Sequence, residues 1–307
     1  MSELRVVFLG TASGKPTPSR NVSAIALLLD GVLTLFDCGE GTQTQFIRAG
    51  VRASGLEAVC ISHFHGDHIN GLPGFLSTLA LNQHDGEVAV VGPEGLGTYF
   101  DTLRKLSIFV PRYPLKPFEI QQPGAVYRGE NFRITTERLN HRIETWGFRF
   151  EEFERPGRFD LDAARALDIP PGPVYGRLQR GETVTLSDGR TIHPESVVGP
   201  SRPGRCVVYI PDTRPCDAAI RLAAGCDLLI HEGTYNAGLE AQAHSRGHST
   251  VADAARVAAQ AGVKRLAITH ISPKHTDLRE LERAAKEIFP ETRVMRDFDE
   301  ILVPLPE

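Results

Sequence analysis

The stretch Ser62-His63-Phe64-His65-Gly66-Asp67-His68 places four side chains able to ligate a metal within six consecutive residues, His63 to His68. Imidazole nitrogens and carboxylate oxygens suit a borderline-soft ion such as zinc, and manganese accepts the same donors. Four donors this close cannot comfortably serve one tetrahedral ion that also keeps a position open for water. Two ions, each taking two of the four, is the better geometric reading. The alternative is a surface loop that is His-rich by accident, but such clusters mark metal or catalytic sites. Further candidates share a local context: His63, Asp212 and His270 each follow an apolar run within two residues, and His141 comes a few residues after another. Strand ends in layered α/β proteins converge on one rim, the usual place for a site.

The elements that must position these residues are readable from the apolar runs. Residues 4–9, 23–29 and 32–36 read as strands, the last two joined at the hairpin signal Asp30-Gly31. Strands are also expected at 58–61, 88–91, 132–136, 146–150, 206–210, 227–230 and 265–269. Helices are expected from 42 to about 49 and over 71–81, 95–106, 215–224, 251–261 and 278–288. Strand followed by helix in both halves predicts an α/β fold of two layered sheets between helices. Asp37, closing an apolar strand, is expected to brace the rim rather than to ligate.

Residues 152–205 differ in character. Pro156, Gly157, Pro170, Pro171, Gly172, Pro173, Pro200 and Pro203 interrupt them, leaving a short helix at 161–167 and two pieces at 182–186 and 190–193. The segment looks too poor in apolar mass to be core and reads as a protruding arm inserted into a single domain spanning 1–307. Arg155, Arg158, Arg165, Arg177, Arg180, Arg190, Arg202 and Arg205 lie in or beside it.

The 307 residues and ordinary composition suit one large α/β domain with an insertion. A formal net charge of -4 gives no global attraction to nucleic acid. Screening over about 10 Å still permits a local basic face. Five cysteines without a Cys-x-x-Cys pair argue against a disulfide framework and for the reducing cytoplasm. A basic n-region followed by an apolar h-region is missing, as is any apolar run near the roughly 20 residues of a membrane span.

His63-x-His65-x-Asp67-His68 resembles the signature of the metallo-β-lactamase superfamily, which implies an αββα four-layer sandwich with a metal site on one rim. Within it, nearly the whole chain resembles the ribonuclease Z family, zinc-dependent endonucleases that cut the 3′ trailer from precursor tRNA and leave a 3′-hydroxyl. Gly10-Thr11…Pro16-Thr17-x-x-Arg20-Asn21 is similar to that family's N-terminal motif. That loop reads equally as a backbone nest for phosphate, with Arg20 or Lys15 nearby, and as a turn in which Arg20 and Asn21 brace loops. Gly172-Pro173-x-x-Gly176-x-Leu178-x-x-Gly181 is similar to the family's flexible-arm motif, which implies a tRNA-binding surface at Gly172, Pro173, Gly176, Arg177, Arg180 and Gly181.

The resemblance also implies the ligand set. His63, His65 and His141 would hold one zinc, Asp67, His68 and His270 the second, and Asp212 would bridge them. Each ion then has one position left for a shared water. Pro211 departs from the glycine usual before the bridging aspartate, and proline fixes φ and removes an N–H. His248, in Gly-His-Ser-Thr, is the expected general acid, Glu232 the residue expected to orient it, and Asp67 the acceptor of the water's proton. His231 is expected to be buried, and His84, His193, His244 and His275 to lie on the surface. A homodimer is implied, one subunit's arm holding tRNA while the other cuts. A hydrolase of small phosphodiesters is the alternative, and it would have no use for the arm. A non-catalytic RNA-binding module with structural zinc is disfavoured by the open positions of the ligand set.

Overall fold

The computed structural model describes residues 2–106 and 111–306. The chain divides into two compact units, residues 1–151 with 206–304, and residues 152–205 with 305–307.

The first unit is built on two sheets of seven strands each. In spatial order the first contains Glu300–Leu302, Leu4–Gly10, Ala24–Leu29, Val32–Phe36, Leu56–Cys60, Val88–Gly92 and Leu115–Glu119. The second contains Thr292–Val294, Leu266–Thr269, Leu228–Glu232, Cys206–Ile210, Trp146–Glu152, Phe132–Arg138 and Gly124–Arg128. Alternate residues of one strand serve different layers. Val6 and Phe8 join Phe148 and Tyr209 between the sheets, whereas Val7 and Leu9 pack with Leu72, Phe75 and Leu76 of helix Leu72–Leu81. In the second sheet Ala267 faces inward, and Leu266 and Ile268 meet Val257 of helix Val251–Ala261 and Leu281 of helix Leu278–Lys286. Both faces of each sheet are covered, so the strands read as continuous apolar runs rather than alternating ones. The layers are helix, sheet, sheet, helix: the αββα sandwich.

The runs 4–9, 32–36 and 206–210 lie on observed strands, and each expected helix of this unit is present with ends shifted by a few residues. Four strands escape a reading of the sequence: Leu115–Glu119, Gly124–Arg128, Thr292–Val294 and Glu300–Leu302. Each stands at an edge of its sheet. Edge strands bury one flank only, tolerate proline and charge, and so lose the apolar signature; Leu115–Glu119 carries both Lys116 and Pro117.

Val32–Phe36, Leu56–Cys60 and Val88–Gly92 pair in parallel, as do Cys206–Ile210, Leu228–Glu232 and Leu266–Thr269. Their carboxyl ends deliver Asp37, Ser62 and His63 from the first sheet and Asp212, Glu232 and His270 from the second.

The second unit corrects one expectation. The segment judged too poor in apolar residues forms its own small core from Ala164, Ile169, Leu178, Val184, Leu186, Ile192 and Val197. It carries helix Leu161–Ala166, capped by Asp160, and a short antiparallel pair, Val184–Thr185 with Thr191–Ile192. The motif at 172–181, for which the sequence offered no element, contains helix Pro173–Gln179. Gly172 precedes it at φ 137°, a backbone only glycine adopts readily. The unit's ends run side by side: Arg155 and Arg202 exchange backbone hydrogen bonds of 2.8 and 2.9 Å, and the Glu152 amide donates to the Arg205 carbonyl at 2.9 Å. The Arg205 guanidinium meets the Glu152 carboxylate at both ends, with Nε–Oε2 2.7 Å and Nη2–Oε1 2.9 Å.

Candidate metal centre

Asp212 is buried and turns its two carboxylate oxygens to different groups of histidines. Oδ1 faces His68 Nε2 at 3.4 Å and His270 Nε2 at 3.2 Å. Oδ2 faces His63 Nε2 at 3.7 Å and His141 Nε2 at 3.8 Å. His65 Nδ1 lies 3.0 Å from His63 Nε2, and Asp67 Oδ2 lies 3.3 Å from His270 Nε2. The donors therefore gather into His63, His65, His141 and Asp212 on one side and Asp67, His68 and His270 on the other, each group within 4.8 Å. Pro211 leaves the Asp212 carboxylate free to face both.

The outer ring nitrogens fix which lone pairs point inward. His63 Nδ1 donates to Ser62 Oγ at 2.9 Å, because that hydroxyl already donates to Asp37 at 2.9 Å. His68 Nδ1 donates to Asp37 Oδ2 at 2.7 Å, and His141 Nδ1 to the Gly247 carbonyl at 2.7 Å. His270 Nδ1 donates to Thr234 Oγ1 at 3.0 Å, whose own proton goes to Glu232 Oε2 at 2.7 Å. All four rings thus turn Nε2 to the centre, the nitrogen that a metal would take once it carries no proton. Two of these nitrogens, on His68 and His270, face each other at 3.3 Å, and although burial opposes it, Asp212 and Asp37 raise His68 well above its ordinary pKa. His141 Nε2 and Asp212 Oδ1 are buried without a hydrogen-bond partner among the described residues. Buried orphan acceptors converging on one point fit a cation. The donor set is one that could hold a metal ion.

The carboxylates are held charged. Burial would raise Asp67 and Asp212, yet His270 and His68 facing them keep both well below the usual range. Burial, with the neighbouring His68, holds His63 well below its ordinary value and so neutral.

Asp37 lies at the rim, and its contacts reach further than a loop brace. Oδ1 accepts from the Ser62 amide at 2.7 Å, while Oδ2 accepts from His68 and from the Tyr209 hydroxyl, also at 2.7 Å. Tyr209, inside an apolar strand, carries no sequence signal for this task. Ser62 and Thr234 were legible only as neighbours of His63 and Glu232. Gly247 was legible only as part of the Gly-His-Ser-Thr motif: at φ 86°, a Cβ there would lie 2.9 Å from His141 Nδ1.

His248 Nδ1 donates to Glu232 Oε1 at 3.0 Å and lies 3.8 Å from Asp212 Oδ2. Burial disfavours its charged form, but Glu232 outweighs that and raises its pKa to about 9. Glu232 is fully buried and also accepts from the amides of Thr213, Thr234 and Ser249. It therefore holds three loops as well as one ring. His231 is buried, and of the remaining four His193 is exposed and the others half-buried. His244 bonds Asp253, His84 packs edge-on against Tyr113, and His275 is half-buried.

The N-terminal loop is no open nest. The amides of Ala12, Ser13, Lys15 and Thr17 all bond to backbone carbonyls, and the Gly14 amide donates to Asp67 Oδ2 at 2.7 Å. The loop instead holds the Asp67 carboxylate. Gly172, Pro173, Gly176, Arg177, Arg180 and Gly181 belong to the second unit, where Arg177 and Arg180 both pair with Glu182.

A profile described as a beta-lactamase superfamily domain matches residues 180–271, and one described as anti-Pycsar protein Apyc1 matches residues 4–100. Ribonuclease Z of Synechococcus sp. (strain CC9311) is 46% identical over 306 residues, covering 96% of this chain and 97% of that protein. Ribonuclease Z of Lacticaseibacillus casei (strain BL23) is 44% identical, covering 98% and 96%. The crystal structure of human tRNase Z, short form, superposes with a TM-score of 0.72 at 26% identity, over 98% of this chain and 100% of that one.

Proposed function

The chain belongs to the ribonuclease Z family of the metallo-β-lactamase superfamily, and from that premise we propose that it cuts the 3′ trailer from precursor tRNA with two zinc ions at this centre. It is a hydrolytic endoribonuclease; the ion identity and count, and the residue roles, are the proposed part. His63, His65 and His141 would hold one ion, Asp67, His68 and His270 the other, with Asp212 between them. Bound there, the ions supply Lewis acidity toward the phosphoryl oxygens and lower the pKa of a water.

The chain's own residues handle the protons. Asp67, kept ionised, accepts a proton from the attacking water. His248, protonated and aligned by Glu232, gives a proton to the departing 3′-oxygen, which leaves the tRNA with a 3′-hydroxyl. The insertion at 152–205, rich in arginine, contacts the RNA backbone as a flexible arm; at Arg177 and Arg180 a phosphate must displace Glu182. The enzyme acts as a homodimer in the cytoplasm. No described helix is long and apolar enough to cross a membrane.

The observation that carries the reading is Asp212, its two oxygens divided between two sets of histidine nitrogens, with His248 beside it. The direct test is a trailer-bearing tRNA precursor with and without chelator, mapping the cut. Chelator-sensitive cleavage leaving a 3′-hydroxyl is expected. Active, unchelated protein without transition metal, or failure to cut any 3′-extended transcript, would overturn the reading. Deleting residues 156–200 is expected to abolish precursor cleavage while sparing bis(p-nitrophenyl) phosphate hydrolysis, since the 155–202 pairing closes the gap. Equal loss of both activities would remove the arm from RNA recognition.

A further inference from the structure

Helix Glu240–Arg246 leads the chain into Gly247 and His248, and little apolar surface holds it down. It has seven residues, of which it buries Ala243. So short a helix is marginal by itself, and its place depends on what ties it to the rest of the fold. Its last turn closes on Gly247 at φ 86°, and the His248 amide donates to the Ala243 carbonyl at 3.0 Å. Wherever that turn sits, the backbone of His248 sits with it. Glu232 directs the imidazole through Nδ1 but leaves the place of this backbone to the helix.

Three side chains meet carbonyls of the turn. Arg214 Nε donates to the His244 carbonyl at 2.7 Å, Arg142 Nη2 to the Ser245 carbonyl at 3.3 Å and His141 Nδ1 to the Gly247 carbonyl at 2.7 Å. The last carbonyls of a helix lack partners within it, and a cation there meets the negative end of its dipole. Arg214 also reaches a second loop. Its Nη1 donates to Asn140 Oδ1 at 3.3 Å and its amide to the Asn140 carbonyl at 2.9 Å, while the Asn140 amide donates to Thr213 Oγ1 at 3.1 Å. Beyond His248, the Ser249 hydroxyl donates to the Thr213 carbonyl at 2.7 Å. Thr213 and Arg214 thus tie both flanks of His248, and the residue before His141, to the segment that carries Asp212. The planar fork of a guanidinium can serve acceptors on two loops at once, which a side-chain amide cannot match.

We propose that Arg214 is a positioning residue for proton delivery: by clamping the end of helix Glu240–Arg246 to the Asn140 loop, it sets where His248 stands relative to Asp212 and the departing oxygen. The proposal rests on the reading of His248 as the proton donor. In this role Arg214 touches neither substrate nor the reacting atoms. A direct grip on an RNA phosphate by its half-buried guanidinium is the competing role.

The test uses full-length, metal-loaded wild type, R214Q, R142Q and H248A on two trailer-bearing precursors. One carries the natural bridging 3′-oxygen at the cut, the other a bridging 3′-sulfur, which departs as a thiolate and needs no proton donor. On the oxygen substrate R214Q is expected to lower kcat about 10–100-fold, the usual cost of losing an outer support of a site, with KM within about twofold. On the sulfur substrate its kcat should return to within about threefold of wild type, as should that of H248A. Elemental analysis should find the metal content of R214Q unchanged. R142Q, at an exposed residue with the longer bond, should show the same pattern with a smaller loss, and it carries the test if R214Q does not fold. Equal loss on both substrates, or loss of metal in step with activity, would overturn the proposal in favour of a support for the fold or the ligand set. A raised KM with unchanged kcat would overturn it in favour of the direct RNA grip, and wild-type kinetics would overturn it outright. If H248A does not recover on the sulfur substrate, it is the parent reading of His248 that fails.

Discussion

His248→Ala is expected to lower kcat on precursor tRNA by about 10²–10⁴, the usual contribution of one positioned proton donor. Metal content and tRNA affinity should stay near wild type, because His248 belongs to neither proposed ligand set. The pH profile separates proton donation from a structural role. A donor must be protonated, so kcat should fall as pH rises through the His248 pKa. Burial lowers that pKa, but Glu232 and Asp212 lift it to about 9 in the protein without metal. Cations nearby oppose the proton, so in the loaded enzyme the alkaline limb should lie at or below about 9. Glu232→Gln should move that limb to lower pH. The same shift has a stability consequence: the folded pKa lies above the ordinary 6.5, so the contribution is complete below 6.5 and fades as pH climbs through about 9. An H248A enzyme that cuts within tenfold of wild type would remove His248 from the chemistry.

Asp212→Asn is expected to have a still larger effect, because one carboxylate serves both halves of the centre. Loss of an outer hydrogen-bond partner of a ligand typically costs 10–100-fold in metal affinity or activity. Loss of a shared anionic ligand should exceed that, taking bound metal below two ions per chain and kcat down by more than about 10³. Elemental analysis of the purified variant and single-turnover cleavage provide the two measurements. Asp37→Asn gives the internal comparison, since Asp37 touches His68 without facing the centre; its loss should fall in the smaller range. Retention of two ions and near-normal kcat by D212N would refute a bridging role.

The buried parts of the fold were legible because burial writes itself into the chain. Two-sided strands such as 206–210 are uninterrupted apolar runs, and His63, Asp212 and His270 stand just beyond them. The four edge strands were not legible, since a strand with one flank in solvent can carry Lys116 and Pro117 without penalty. The insertion was legible as a composition change, but its core was hidden, because seven scattered small and branched residues make no periodic pattern. Within the site, cationic and acidic residue types announced themselves, whereas Tyr209 looks like any aromatic of a buried strand. The N-terminal loop was ambiguous for a related reason: sequence shows that its amides exist, but only the fold shows that they are already engaged.

The Tyr209 hydroxyl reaches from one β-leaf of the sandwich to Asp37 at the end of the other, and Asp37 in turn holds His68. One acid therefore serves two masters, the cohesion of the leaves and the aim of a ligand. With metal bound as proposed, loading the centre and closing the sandwich are thermodynamically linked, and the loaded protein is expected to resist heat better than the stripped one, the more so the more tightly metal is held.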